Sequence, residues 1–185
     1  MEKKYVFMML GYLGSGKSHV SRWLAPHIGA VYLRVDDLRL AMFGTDKPEL
    51  YTPENKALVN NASQYAMRQI VKSGQAHVVH DANHNARSVR QNIAKKVAEY
   101  DGISVVVWVQ TPLEVAKERT EIRKETEGHD LFEPNLVEKM AKRLEEPDQH
   151  ELVITIDGLA SAFEQRESFD VQWAAIKSTL GTNKL

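Results

Sequence analysis

A chain of 185 residues, 43% of them apolar, can bury one sizeable core and is short for a second full domain, so residues 1–185 read as one domain. The formal net charge of -1 gives no global attraction to nucleic acid or to an anionic membrane, and any such partner has to be argued locally. With no cysteine the chain has no disulfide, no thiolate metal site and no cysteine nucleophile, which fits a cytoplasmic protein.

The basic start MEKK leads into an apolar run, Tyr5–Leu10, that stops at Gly11. About six residues are too few for a signal-peptide core or a membrane span, and the run reads as a strand covered on both faces. A glycine-rich turn follows directly, with a helix expected from near Lys17. Ala30–Val35 is the second strand candidate. A helix is predicted from about Pro53 to Lys72, with Leu58, Ala62, Tyr65 and Gln69/Ile70 marking one face and Ser73 and Gly74 ending it. Ala76–Asp81 is the third strand, with a helix from near Ala86, and Ile103–Val109 is the fourth. Thr111, Pro112 and Glu114 form a helix start in which Thr caps, Pro takes the first turn and Glu reaches back. Polar Lys124–Asn135 is a candidate mobile lid. Leu136, Met140 and Leu144 stripe a helix that ends before Pro147, and a weaker fifth strand candidate starts at Glu151. Strands alternating with helices imply an α/β fold: a parallel five-stranded sheet with helices on both faces and ligands at the carboxyl ends of the strands.

Gly11 to Ser18 satisfies the G-x-x-x-x-G-K-[ST] pattern in full. Glycines let successive N–H groups turn inward onto phosphate oxygens, and the following helix adds its positive end. The cradle is expected to comprise Gly11, Leu13, Gly14, Ser15, Gly16, Lys17, Ser18 and His19, with Lys17 on the β and γ phosphates and Ser18 on Mg²⁺. The plainer reading is a glycine-rich turn that only joins strand to helix.

Other strand ends separate the classes that use such a loop. HVVHDAN ends in one acid, Asp81, without the adjacent Glu common in motor ATPases, and the only Asn-Lys is Asn183-Lys184, far from where a guanine reader belongs. A GTP switch is therefore disfavoured. The second strand runs into RVDDLR, Arg34–Arg39. A carboxylate at Asp36 suits a general base for an attacking hydroxyl, and Arg39, three residues on, lies on the same helical side to hold an anionic group. Asp36 and Asp37 are equally good helix caps, as Asp81 and Asn83 are for the helix near Ala86. Arg119 and Arg123 share a helix face, whose plain reading is an ordinary solvated helix with Glu118, Glu121 and Glu125.

In order and spacing, GYLGSGKS, VDDLR, HDAN with Arg87 and Arg90 following, and PLEVAKERTEIRK together resemble the kinase domain of phage polynucleotide 5′-kinase. They also resemble small bacterial P-loop kinases, zeta-toxin-like and AAA-type, over roughly Val6 to Leu144. The resemblance implies a P-loop NTPase fold, Asp36 as general base and Arg39 on an acceptor phosphate. It also implies Asp81 and Asn83 at the acceptor or near Mg²⁺, and Arg119 and Arg123 leading into a lid that closes over the triphosphate, where they neutralise charge on the transferring phosphoryl group.

The expected activity is an ATP- and Mg²⁺-dependent transfer of the γ-phosphoryl group to a hydroxyl. A small or nucleotide-like acceptor is favoured over a polynucleotide 5′ end, because the bordering insert Met42–Lys56 is mixed in charge and the lid is acidic. The rival of another class is a nucleotide-binding regulator or slow ATPase. His77 and His80 point to opposite faces of a strand, against a histidine metal site, and Trp23, Trp108 and Trp173 read as packing residues. Gly158, after the fifth strand, is a weak candidate for approaching adenine.

Overall fold

The computed structural model of the chain describes residues 3–45, 48–127 and 135–182. In chain order the elements are β1 (Tyr5–Leu10), α1 (Lys17–His27), β2 (Ala30–Arg34), α2 (Val35–Phe43) and a 3₁₀ turn at 48–50. Then come α3 (Pro53–Ser73), β3 (His77–Asp81), α4 (Arg87–Ala98), β4 (Ile103–Gln110), α5 (Leu113–Glu127), α6 (Leu136–Ala141), β5 (Val153–Asp157) and α7 (Ala162–Thr182). The strands form one parallel sheet in the order β2-β3-β1-β4-β5.

Strand period 2 divides the core in two. Phe7 and Met9 of β1 face α1 and α7, where Trp23, Leu24, Phe169 and Trp173 pack. Val6, Met8 and Leu10 face α3 and α4, meeting Met67, Val71, Ile93 and Val97. Both faces of the central strand are thus dry, as its unbroken apolar run requires. At the β5 edge the Gln172 amide stands in for a neighbouring strand, accepting from the Thr155 N–H at 2.9 Å and donating to the Thr155 carbonyl at 2.8 Å.

Three expectations need correction. The buried row of α3 is Val59, Ser63, Met67 and Val71, while Leu58 and Tyr65 are 50% and 60% exposed. A polar residue in the middle of that row, Ser63, breaks its apolar pattern; it is buried because its hydroxyl has a partner in His80. The stripe of Leu136, Met140 and Leu144 is not one helix face. The helix stops at Ala141, Val137 is its buried residue, and a tight turn with Leu144 N–H on the Ala141 carbonyl delivers Leu144 to the core. Thr111 lies two residues ahead of α5, and its hydroxyl donates to the Ser15 carbonyl at 2.8 Å.

Of the expected lid, residues 124–127 continue α5 and 128–134 lie outside the described residues, as do Asp46 and Lys47 of the insert and the pair Asn183-Lys184. Among the described residues no helix is long and apolar enough to cross a membrane.

Candidate active site

The loop after β1 sits at the topological switch point, where crossovers leave the sheet in opposite directions and a crevice opens. Gly14 has φ +81°, and a Cβ there would stand 2.1 Å from the Ala116 carbonyl oxygen, so the loop lies hard against α5. At Gly16 space is free, but φ +99° itself demands glycine as the residue that enters α1. Gly11 and Ser15 are buried, Leu13 and Ser18 half-buried, and His19 exposed on the first turn of α1.

Lys17 turns back onto this loop, donating from Nζ to the carbonyls of Gly11 at 2.9 Å and Tyr12 at 2.6 Å. Burial lowers its pKa to about 8, opposed by the charges of Asp81 and Asp36. The same lysine therefore feels carboxylates from the ends of two neighbouring strands. Asp81 closes β3, is buried, and accepts from the Tyr32 hydroxyl at 2.8 Å, which together with burial raises the tyrosine pKa. Asp36 is in the first turn of α2 with a side chain 54% exposed, accepting from Arg39 at 2.6 Å and Arg34 at 3.4 Å. Arg39 is itself buried, with its guanidinium 4.5 Å from the Tyr51 ring centre.

Neither Asp36 and Asp37 nor Asp81 and Asn83 cap a helix. Arg34 and Ala86 occupy the cap positions of α2 and α4 without a side-chain bond, and Asn83 Oδ1 accepts from the Asn85 N–H within its own turn. Asp36 and Asp37 instead favour α2 through its dipole. Arg119 bonds the Gly158 carbonyl with both Nη atoms at 3.2 Å, and its Nη1 lies 4.0 Å from where a Gly16 Cβ would be. Arg123, one turn on, is half-buried. Gly158 packs on the loop: a Cβ there would be 1.8 Å from Thr111 Oγ1 and 2.8 Å from the Ser15 carbonyl oxygen.

Residues 6–147 match AAA_33, an AAA domain. The chain belongs to this family. No curated protein matches it by sequence. Among solved structures, a gluconokinase from Sinorhizobium meliloti 1021 has TM-score 0.67 at 21% identity over 99% of this chain and 98% of that one. A chain of the Pnkp1/Rnl/Hen1 RNA repair complex has TM-score 0.65 at 21% identity over 78% of this chain and 45% of that one. Shikimate kinase from Acinetobacter baumannii, in complex with shikimate, has TM-score 0.57 at 21% identity over 99% of this chain and 96% of that one. At such identities the likeness is one of fold, and the fold is that of P-loop kinases.

In this AAA domain Arg90 belongs to the scaffold. It is fully buried, holds Glu151 through Nε at 2.7 Å and Nη2 at 3.0 Å, and bonds the carbonyls of His84 and Asn85. Arg87 likewise reaches Asp148, at 3.6 Å. A cleft of about 660 Å³ opens beside the phosphate loop at the ends of β4 and β5, lined among others by Tyr12, Trp108, Gln110, Asp157 and Leu159. Among the described residues no group of three or more His, Asp or Glu is arranged to hold a metal alone.

Two contributors went unnoticed in the sequence, Tyr32 and Tyr51, and His80, weighed there only as a metal ligand, instead bonds Ser63 and His84. Tyr32 shares a β2 face with Arg34, which pairs in register with Asp81, so period 2 pointed to it. No local pattern pointed to Tyr51, which comes from a non-periodic insert.

Proposed function

We propose that this AAA domain is an ATP- and Mg²⁺-dependent kinase that moves the γ-phosphoryl group of ATP to a hydroxyl of a small or nucleotide-like acceptor. The observation that carries the reading is Lys17, which bonds the carbonyls of the phosphate loop and feels the charges of Asp36 and Asp81 from the ends of two neighbouring strands. A protein that only bound Mg²⁺-nucleotide would need the loop and one carboxylate near the metal, but not a second carboxylate, Asp36, near the phosphate-binding lysine.

The donor set fits Mg²⁺ brought in with ATP, which keeps several waters and phosphate oxygens and asks the protein for one or two oxygens. Ser18 would hold it, and Asp81, fixed by Tyr32, would accept from its waters. When bound, the ion neutralises charge on the β and γ phosphates. On ATP arrival Lys17 exchanges the Gly11 and Tyr12 carbonyls for phosphate oxygens. An anionic group on the acceptor draws Arg39 off Asp36, freeing Oδ1 to take the hydroxyl proton. The hydroxyl oxygen then bonds to the γ phosphorus as the bond from that phosphorus to the β-γ bridging oxygen breaks, leaving ADP. Arg119 and Arg123 offset the charge that develops.

Incubation with labelled ATP and panels of anionic small acceptors (sugar acids, sugar phosphates, nucleotides), neutral sugars and nucleosides, and 5′-hydroxyl oligonucleotides tests this. Transfer to a small acceptor is expected; transfer to oligonucleotides alone would reassign the acceptor, and acceptor-independent hydrolysis would make the protein a slow ATPase.

A further inference from the structure

Two buried histidines lie one layer behind the site. Ser63 Oγ is 2.7 Å from His80 Nε2, His80 Nδ1 is 3.0 Å from His84 Nε2, and His84 Nδ1 is 3.0 Å from the Met9 carbonyl oxygen. A carbonyl only accepts, so His84 carries its proton on Nδ1. If neutral, its Nε2 must accept, which puts the His80 proton on Nδ1 and makes His80 Nε2 the acceptor of the Ser63 hydroxyl. The chain then runs one way and ends on β1 with every link satisfied. Burial pushes both imidazoles towards the neutral form, His80 to about 4 and His84 well below its ordinary value, and Lys17 and Arg90 nearby further disfavour a proton on His84.

The location gives this chain its consequence. β1 and β3 pair in register up to Met8 and His80, and the His84 ring bonds the carbonyl of the next residue, Met9, where the strands part. The turn between β3 and α4 carries Asp81 at its start and exposed Asn83 at its middle. Arg90 fixes the backbone of the same turn by donating to the His84 and Asn85 carbonyls. Side chain and backbone are thus pinned from opposite sides.

We infer that His84 is a positioning residue: through a one-way chain from Ser63 and His80, both imidazoles neutral and protonated on Nδ1, it ties the 82–86 turn to Met9 and so sets Asp81 and Asn83 beside the phosphate loop. The effect on catalysis rests on the kinase reading; the tether does not.

Nitrogen NMR of histidine-labelled native protein at neutral pH should show both rings as neutral Nδ1–H tautomers. An Nε2–H tautomer or a charged ring at either position overturns the chain. A crystal structure of His84→Ala should show the turn displaced and the Tyr32–Asp81 bond lost, whereas a turn left in place overturns the tether. With the best acceptor, His84→Ala should lower kcat about tenfold or more with the ATP KM within about twofold, because small displacements of reacting groups cost that much. His84→Asn, whose amide nitrogen can stand where Nδ1 stood, should recover most of the rate. Equal kcat in native and His84→Ala protein overturns the positioning role. Absence of transfer by the native protein tells against the kinase reading, and the tautomers and the turn then decide the tether by themselves.

Discussion

Arg39 donates to the Asp36 carboxylate at 2.6 Å, three residues apart on α2, while its guanidinium lies over the Tyr51 ring. The proposed base is therefore engaged before any acceptor arrives, and the residue engaging it is the proposed acceptor anchor. Arg39→Lys keeps the charge but loses the planar stack and the fork. It should raise the acceptor KM about tenfold, as expected for losing one charge-assisted contact, with the ATP KM unchanged. An unchanged acceptor KM in steady-state kinetics would remove Arg39 from the acceptor site.

Asp36→Asn preserves shape and removes the proton acceptor. General-base catalysis contributes about 10²–10⁴-fold, so kcat should fall in that range while ATP affinity by titration calorimetry stays native. Near-native transfer would leave Asp81, also facing Lys17, as the carboxylate to test next. Because the Asp36 side chain is half-exposed, the substitution should barely move the melting temperature.

The sheet was legible because the strands are short, apolar-rich runs, unbroken in β1, each followed by a polar cluster, and the alternation of strands with helices places such clusters at one rim. The phosphate loop was legible because backbone geometry there admits few residues. Ser63 and His80 show where the pattern fails: two polar residues that satisfy each other in the core look like breaks in an apolar face until the fold brings them together across 17 positions. Arg90 is opaque for a different reason. An arginine soon after a polar strand end suggests a ligand contact, but its partner Glu151 lies 61 residues away, on the approach to β5.

That pair should dominate a stability measurement. Arg90 is fully buried and Glu151 nearly so, and removing one partner leaves the other charge in a poor solvent. Arg90→Met is expected to cost about 3–5 kcal/mol in urea denaturation, as for other broken buried ion pairs. A loss below about 1 kcal/mol, the range of an exposed pair, would mean that the guanidinium contributes little to folding.

Gly158 couples the end of β5 to the nucleotide loop. A Cβ there would collide with Thr111 Oγ1 and press on the Ser15 carbonyl, the two atoms that hydrogen-bond each other. Gly158→Ala must break that bond or shift the loop, so it should destabilise by about 1–3 kcal/mol and weaken ATP binding together. Pairing it with Thr111→Ala removes the nearest clash and should restore part of the stability. If the single variant melts and binds as the native protein does, the turn has slack that the close packing denies.

If Lys17 binds the phosphates as proposed, nucleotide binding should depend on pH in a direction set by its lowered pKa. Between about 8 and the ordinary lysine value of 10.5 the unfolded chain holds a proton that the folded, empty protein has released. Stability attributable to this group therefore rises with pH through that window, and the penalty of burying the charge is present in full below about 8. ATP reverses the balance, because phosphate oxygens favour the ammonium form and raise the lysine pKa. Binding above pH 8 should take up a proton at Lys17 and weaken progressively as pH rises. Calorimetry in two buffers of different ionisation enthalpy, with EDTA present so that metal plays no part, measures this uptake directly. Comparison with Lys17→Ala isolates the lysine contribution: the variant should bind ATP more weakly at pH 7 and show no corresponding rise in proton uptake above pH 8. Identical uptake in both proteins would assign the proton to another group and detach Lys17 from the phosphates.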